Sequence, residues 1–134
     1  SFKKSYGKGE GNLSESDFMK LLNKEGEIPV FVYCAIAENL NVTANVHLKV
    51  LETFNQKYDK SDKETYLQRI IADIANNPYT DEKVLEYIIK NEETDYKNKE
   101  KIAKHKNSNE ETKQIANSFS NTLKKYVGKV KDFF

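Results

Sequence analysis

An all-α fold, an array of about seven helices stacked as hairpins, is what this sequence predicts, and three observations carry the prediction. Apolar residues recur at helical spacing along most of the chain, as in Val46, Val50, Phe54 and Tyr58, which share one helix face. Helix-start signals, a Ser or Thr ahead of acidic residues, recur as well. Only 5 Gly and 2 Pro occur in 134 residues, 32% of residues are charged and 37% hydrophobic, and no β-hairpin signal is present. A chain of this length makes one domain and buries roughly 65–70% of the surface its unfolded form exposes.

Residues 1–13, SFKKSYGKGEGNL, hold three glycines and no apolar stripe, so they read as a tail or linker ahead of a domain over 14–134. Ser14 precedes Glu15-Ser16-Asp17, and Phe18, Leu21 and Leu22 follow at i, i+3, i+4, which predicts a short capping helix over 14–25 that stops near Gly26. Pro29 suits the first turn of the next helix, where its missing N–H costs nothing. Residues 30–37 are apolar all round, compatible with a buried helix or a buried strand; their continuation into Glu38-Asn39 and their helical neighbours favour helix. With the Val46 stripe they form a first hairpin over about 29–57.

A second hairpin spans about 61–91. It opens on Ser61-Asp62-Lys63-Glu64, the spacing at which a serine hydroxyl and a glutamate each satisfy a free backbone N–H, and its first stripe is Tyr66, Leu67, Ile70, Ile71 and Ile74. Thr80 starts its second helix, with Val84, Leu85, Ile88 and Ile89. The third hairpin, about 94–127, begins with a helix from Thr94 to Lys106 whose apolar anchors are only Tyr96, Ile102 and Ala103, so it should be the least buried. Its partner starts on Ser108-Asn109-Glu110-Glu111 and runs through Ile115, Phe119, Leu123, Tyr126 and Val130 toward Phe133-Phe134.

Three joints share a pattern. Ile36-Ala-Glu-Asn-Leu-Asn-Val, Ile74-Ala-Asn-Asn-Pro-Tyr-Thr and Ile102-Ala-Lys-His-Lys-Asn-Ser align at spacings of 38 and 28 residues. Local chemistry accounts for each: Asn39, Asn77 and His105 end a helix, the asparagines in a left-handed conformation, Pro78 blocks continuation, and Thr80 or Ser108 caps the next helix. At these residues the chain resembles the variant leucine-rich repeat family, whose repeats carry a pattern like Ala-x-Asn-Pro-x-Thr-x-x-x-Val-Leu-x-x-Leu. The resemblance covers about residues 34–116 and is fullest in Ala75, Asn77, Pro78, Thr80, Val84, Leu85 and Ile88. Earlier, Ala37, Asn39, Asn41, Val46 and Val50 match while Leu40 and Val42 replace Pro and Thr; later, Ala103, Asn107 and Ser108 match while His105, Thr112 and Lys113 depart. It implies a HEAT-like array in which each helical hairpin buries its stripe against the next. The family's iron–sulfur association needs a cysteine cluster that this chain lacks, so that activity is not implied. An irregular helical bundle would reuse Asn, Pro and Thr at its joints for the same local reasons and stays open.

Enzyme chemistry finds no motif. Cys34 lies in an apolar run and reads as a small buried apolar residue; alone it makes neither an internal disulfide nor a multi-cysteine metal site. The two histidines, His47 and His105, lack a second His or Cys at ligand spacing; His47 reads as a helix-flank residue and His105 as a helix end. No phosphate-cradling glycine loop or nucleophile elbow is present, so the prediction is no catalytic residue, no metal, no cofactor and no enzyme activity. Mean hydropathy is −0.80 and no apolar run approaches the roughly 18 residues of a membrane helix. Without a recognisable signal peptide the expected location is cytoplasmic, and the start on Ser1 suggests a processed product or a domain of a longer chain. One arginine, Arg69, among many lysines, with abundant Asn, Ile and Tyr, reflects an AT-rich genome.

Charge placement says more than the net of +1. From Tyr96 onward ten lysines stand against four acids, a net of +6 that leaves −5 for residues 1–95. Lys97, Lys101 and Lys104 fall on one helix face with Tyr96 alongside, a candidate face for an anionic partner, although the same spacing suits a plain solvated surface. The stripe lacks arginine, which argues against base readout and leaves phosphate positioning. Tyr126, Val130, Phe133 and Phe134 continue an apolar stripe past the last partner helix, as an end cap or as a contact for a partner protein or a second copy. The function expected from these features is a non-enzymatic protein–protein interaction scaffold, with weak, sequence-non-specific nucleic-acid binding by the lysine-rich C-terminal third as the alternative.

Overall fold

The computed structural model describes residues 13–118; nearly all of the N-terminal tail and the candidate contact residues Tyr126, Val130, Phe133 and Phe134 lie outside the described residues. Within them the chain is all helical, with no strand. The helices are α1 (Glu15–Leu22), α2 (Val30–Glu38), α3 (Ala44–Lys57), α4 (Lys63–Asn76), α5 (Glu82–Asn91) and α6 (Tyr96–Lys104). A seventh, α7, covers 110–118. The uniformly apolar run after Pro29 is helix, and α2 buries every residue from Val32 through Ala37. Pro29 itself stands at the N-cap of α2, one place before the first turn.

Alternate helices form two layers. One is α2 against α4 and α4 against α6; the other is α1 against α3 and α3 against α5. α7 is tied to the second layer at α5, where Asn109 Nδ2 donates to Glu86 Oε1 at 3.1 Å and Lys90 pairs with Glu111 at 3.0 Å. Sequence pattern sets this order, because each stripe faces the other layer. In α5, Val84, Leu85, Ile88 and Ile89 are buried, while Glu82, Lys83 and Lys90 lie exposed on the opposite side. α3 touches α1, α2, α4 and α5 and is the centre of the core; its Phe54 ring meets Tyr33 edge-on at 5.3 Å and stacks on Tyr58 at 4.9 Å. α6 is the most exposed helix of the first layer, burying only Asn98 and Ile102.

Helix ends follow the sequence signals in part. At α1 the expected cap forms: Ser14 Oγ accepts from Asp17 N at 3.2 Å and Asp17 Oδ2 accepts from Ser14 N at 3.0 Å. The helix ends at Leu22, and Gly26, at φ 88, makes the left-handed turn that leads the chain toward α2. At α4 the expected Ser61 cap does not form. Asp62 takes the N-cap position, its side chain makes no cap bond, and its carboxylate instead accepts from the Tyr58 hydroxyl at 2.6 Å. Glu64, the expected reciprocal partner, accepts from Gln68 one turn on.

Thr80 and Ser108 are also not caps. Asp81 caps α5, accepting from Lys83 N at 2.8 Å, and Asn109 accepts from Thr112 N at 2.9 Å ahead of α7. Thr80 and Ser108 stand one residue earlier and reach backward: their hydroxyls donate to the carbonyls of Ile74 and Ile102 at 2.7 and 2.6 Å, in the last turns of α4 and α6, where those carbonyls also accept from Asn77 N and His105 N. Thr94, expected to open α6, does the same more loosely, and Asp95 is the cap. In α7, Thr112 and Ala116 are buried and Ile115 is 38% exposed, so the stripe is rotated from the one Ile115 predicts.

Thr80→Val keeps the shape of this buried residue and removes its donor. Val42 already occupies the corresponding place after α2, so the size is tolerated. We expect a loss of about 1–2 kcal/mol in urea unfolding. A change below about 0.5 kcal/mol would show that the hydroxyl is dispensable.

Candidate functional site

The ends of α2, α4 and α6 lie side by side and make one edge of the described structure. At each, the residue after the helix turns into extended backbone: Asn39 at φ −69, Asn77 at φ −77 and His105 at φ −66. The left-handed conformation expected of the asparagines is absent, since no described residue other than glycine has positive φ. Their side chains shape the turn instead. Asn39 Oδ1 accepts from Asn41 N at 2.8 Å, Asn77 Oδ1 from Tyr79 N at 2.9 Å, and His105 Nδ1 from Asn107 N at 3.0 Å. An Asn or a neutral His serves equally because each offers an acceptor at the same reach.

Successive turns are bonded to one another. His105 Nδ1 receives an N–H, so the ring proton sits on Nε2, which donates to the Asn77 carbonyl at 2.8 Å. Asn107 Nδ2 donates to the carbonyls of Pro78 and Thr80 at 3.1 and 2.9 Å. The turn after α6 is thereby locked onto the turn after α4. Pro78 and Tyr79 remain exposed at its tip, Tyr79 at 70%.

Two grooves run along this edge. The first, about 270 Å³, lies between the ends of α2 and α4 and is lined by Glu38, Leu40, Asp73, Asn76 and Asn77. The second, about 350 Å³, lies between the ends of α4 and α6, where Asn76 and Pro78 face Lys101, Lys104, His105 and Lys106. Lys106 also lies over the Tyr79 ring, 5.7 Å from its centroid. Among the described residues, neither Lys101 nor Lys104 has a carboxylate within ion-pairing distance.

Of the lysine face read from the sequence, Lys101 and Lys104 enter this groove. Lys97 is exposed on the first turn of α6, away from the groove lining, and Tyr96 is half-buried with its hydroxyl donating to Glu100 at 2.8 Å. Lys106, His105 and Asn76 were not part of that face. The signal that finds them is the spacing of 28 residues, which sets Asp73, Asn76 and Pro78 opposite Lys101, Lys104 and Lys106 in the two units.

The other titratable candidates are in the core. His47 is 1% exposed, a buried residue of α3 and not the helix-flank residue expected; its pKa is pushed down to about 4 by burial. Cys34 is 6% exposed, and burial raises its thiol to about 11, which keeps it out of the reactive thiolate form. Among the described residues no cluster of three or more His, Cys, Asp or Glu could hold a metal ion, and no helix is long and apolar enough to cross a membrane. A third groove, about 590 Å³, has Asn55, Lys63, Glu64, Tyr87 and Glu92 in its lining, and within that lining Asn55 Nδ2 donates to both Glu92 oxygens, at 2.9 and 3.1 Å.

Compared with protein-family models, with curated proteins and with solved structures, the chain finds no match.

Proposed function

We propose that the protein is a non-enzymatic interaction scaffold, a stack of helical hairpins of the HEAT-like or variant leucine-rich repeat kind that binds a protein partner along the edge made by its turns. The observation that carries this reading is the edge itself. Its backbone is fixed by side-chain and inter-turn hydrogen bonds, yet it leaves Tyr79 exposed and two polar grooves open beside it. A rigid turn array with an exposed aromatic is a low-entropy platform for a partner. Two buried titratable groups that lie away from this edge, His47 and Cys34, are in the core and serve packing.

Placing a photo-crosslinking amino acid at Tyr79, with a control at Glu82 on the outer face of α5, tests this. We expect one saturable protein adduct from position 79 and none from position 82. Adducts to nucleic acid alone, or equal adducts from both positions, would sink the scaffold reading.

A second reading, sequence-non-specific nucleic-acid binding, is favoured by the gathering of Lys101, Lys104 and Lys106 at one groove. Anisotropy of labelled generic DNA and RNA should then weaken by orders of magnitude between about 50 and about 200 mM salt and vanish in Lys101→Glu/Lys104→Glu. No binding at the lower salt removes it.

A further inference from the structure

The two grooves occupy the same place in successive units. A shift of 28 residues carries Asp73, Asn76, Asn77 and Pro78 onto Lys101, Lys104, His105 and Lys106, and a shift of 38 carries Glu38 and Leu40 onto Asn76 and Pro78. Position by position, then, one wall after another changes character. Glu38 and Asp73 give the first groove two carboxylates and no lysine; Lys101, Lys104 and Lys106 give the second three ammonium groups and no carboxylate. Asn76 lines both, so the grooves adjoin and the edge reverses sign along one short path.

A second, independent feature marks the acidic groove as a place for a ligand. Asn77 lines it and is 3% exposed, its Oδ1 is engaged by Tyr79 N, and its Nδ2 has no hydrogen-bond partner among the described residues. In the next unit the corresponding donor, His105 Nε2, is satisfied by the Asn77 carbonyl. The amide of Asn77 is a buried donor at a groove floor, and a backbone carbonyl of a chain lying across the groove would satisfy it.

We infer that the paired grooves form one bipolar docking strip for an extended segment of a partner protein in which a Lys or Arg is followed, three positions away, by an Asp or Glu. This rests on the scaffold reading and adds the chemistry of the partner. The spacing comes from the fold: packed helices lie about 8–10 Å apart, so neighbouring grooves do too, and an extended chain covers about 3.3 Å per residue. The basic residue meets Glu38 and Asp73, the acidic residue meets Lys101 and Lys104, and the backbone between them crosses Asn76 and Asn77. Tyr79 and the Lys106 above it give the acidic end an aromatic neighbour. A polyanion is the poorer fit, because half of the strip would repel it.

The test is panning of a displayed library of random short peptides on the full chain and on two variants, Glu38→Lys/Asp73→Lys and Lys101→Glu/Lys104→Glu, each checked for native circular dichroism. The wild-type protein should enrich peptides with a basic and an acidic residue three positions apart, and each variant should bind those peptides at least about tenfold more weakly. Glu38→Lys/Asp73→Lys should instead select peptides acidic at both positions. Should that variant fail to fold, Glu38→Gln/Asp73→Asn carries the same expected loss. Enriched peptides without the charge pair, or insensitive to both variants, overturn the inference and leave the scaffold reading standing. So does an empty selection when position 79 still crosslinks a protein; an empty selection with no crosslinked protein overturns both. Self-association of the free protein that disappears in Lys101→Glu/Lys104→Glu would assign the strip to a second copy and overturn the peptide partner.

Discussion

Phe54→Ala should lower the free energy of unfolding by about 3–5 kcal/mol, a large fraction of what a domain of this size possesses. The ring is fully buried, and it sits where the layers converge: on α3, which touches four other helices. It is also the middle of an aromatic chain. Tyr33 meets it edge-on, Tyr58 stacks on it at an interplanar angle of 16°, and Tyr66 meets Tyr58 at 6.0 Å. Truncation therefore removes transfer energy, leaves a cavity that rigid neighbours cannot refill, and deletes two ring contacts. Urea unfolding should show a lower midpoint with an unchanged slope, because the surface exposed on unfolding is nearly the same. Phe31, on the adjacent α2 but 58% exposed, is the contrast: its truncation should cost less than about 1 kcal/mol. A loss below about 1.5 kcal/mol at Phe54 would mean that the core does not converge on α3.

The burial that makes Phe54 costly to lose was readable from Val46, Val50, Phe54 and Tyr58, since a residue every four positions can face only one way on a helix. The same logic found the stripes of α4 and α5. It failed where a residue's role depends on which way one bond points. A Thr ahead of an acidic residue looks the same whether its hydroxyl caps the next helix or, like Thr80, reaches back to Ile74, and Asp81 is an equally good cap. Asn77 was legible as a turn residue but not as an extended one, because Asn serves both turn types. In α7 the buried positions are Thr112 and Ala116, residues too small or too polar to register as a stripe beside Ile115.

The grooves were less legible still. They arise where α2, α4 and α6 end side by side, a juxtaposition that no single helix encodes. Lys101 and Lys104 stood out by helical spacing, but spacing alone also recruited Lys97, which lies outside the groove lining. What separates them is the facing wall, Asn76 and Pro78, supplied by a residue run 28 positions earlier.

His47 is where tertiary structure most changes the meaning of a residue, and it gives the second large effect. Four helices surround α3, so its buried arc is wider than one stripe and takes in His47 and Leu51 beside Val46 and Val50. The ring is 1% exposed, neither nitrogen has a hydrogen-bond partner among the described residues, and burial alone holds its pKa at about 4 against 6.5 when free. Well above pH 6.5 the imidazole is neutral in both states and leaves stability unaffected. As the pH falls below that value the unfolded chain takes up a proton and the folded chain does not, so stability drops by up to about 1.4 kcal/mol per pH unit until the folded ring also titrates near pH 4. The whole window amounts to about 3 kcal/mol of lost stability. His47→Leu retains an apolar body and has nothing to protonate, so its stability should be nearly level from about pH 6.5 to pH 5, while the wild-type protein loses about 2 kcal/mol over the same interval. Carboxylates that start to titrate toward the acid end of that interval, such as Glu92, whose carboxyl burial pushes up, are common to both proteins, so the difference between the two curves isolates the ring. Parallel curves would mean that the imidazole reaches water or a partner when protonated, and that α3 is not closed over it.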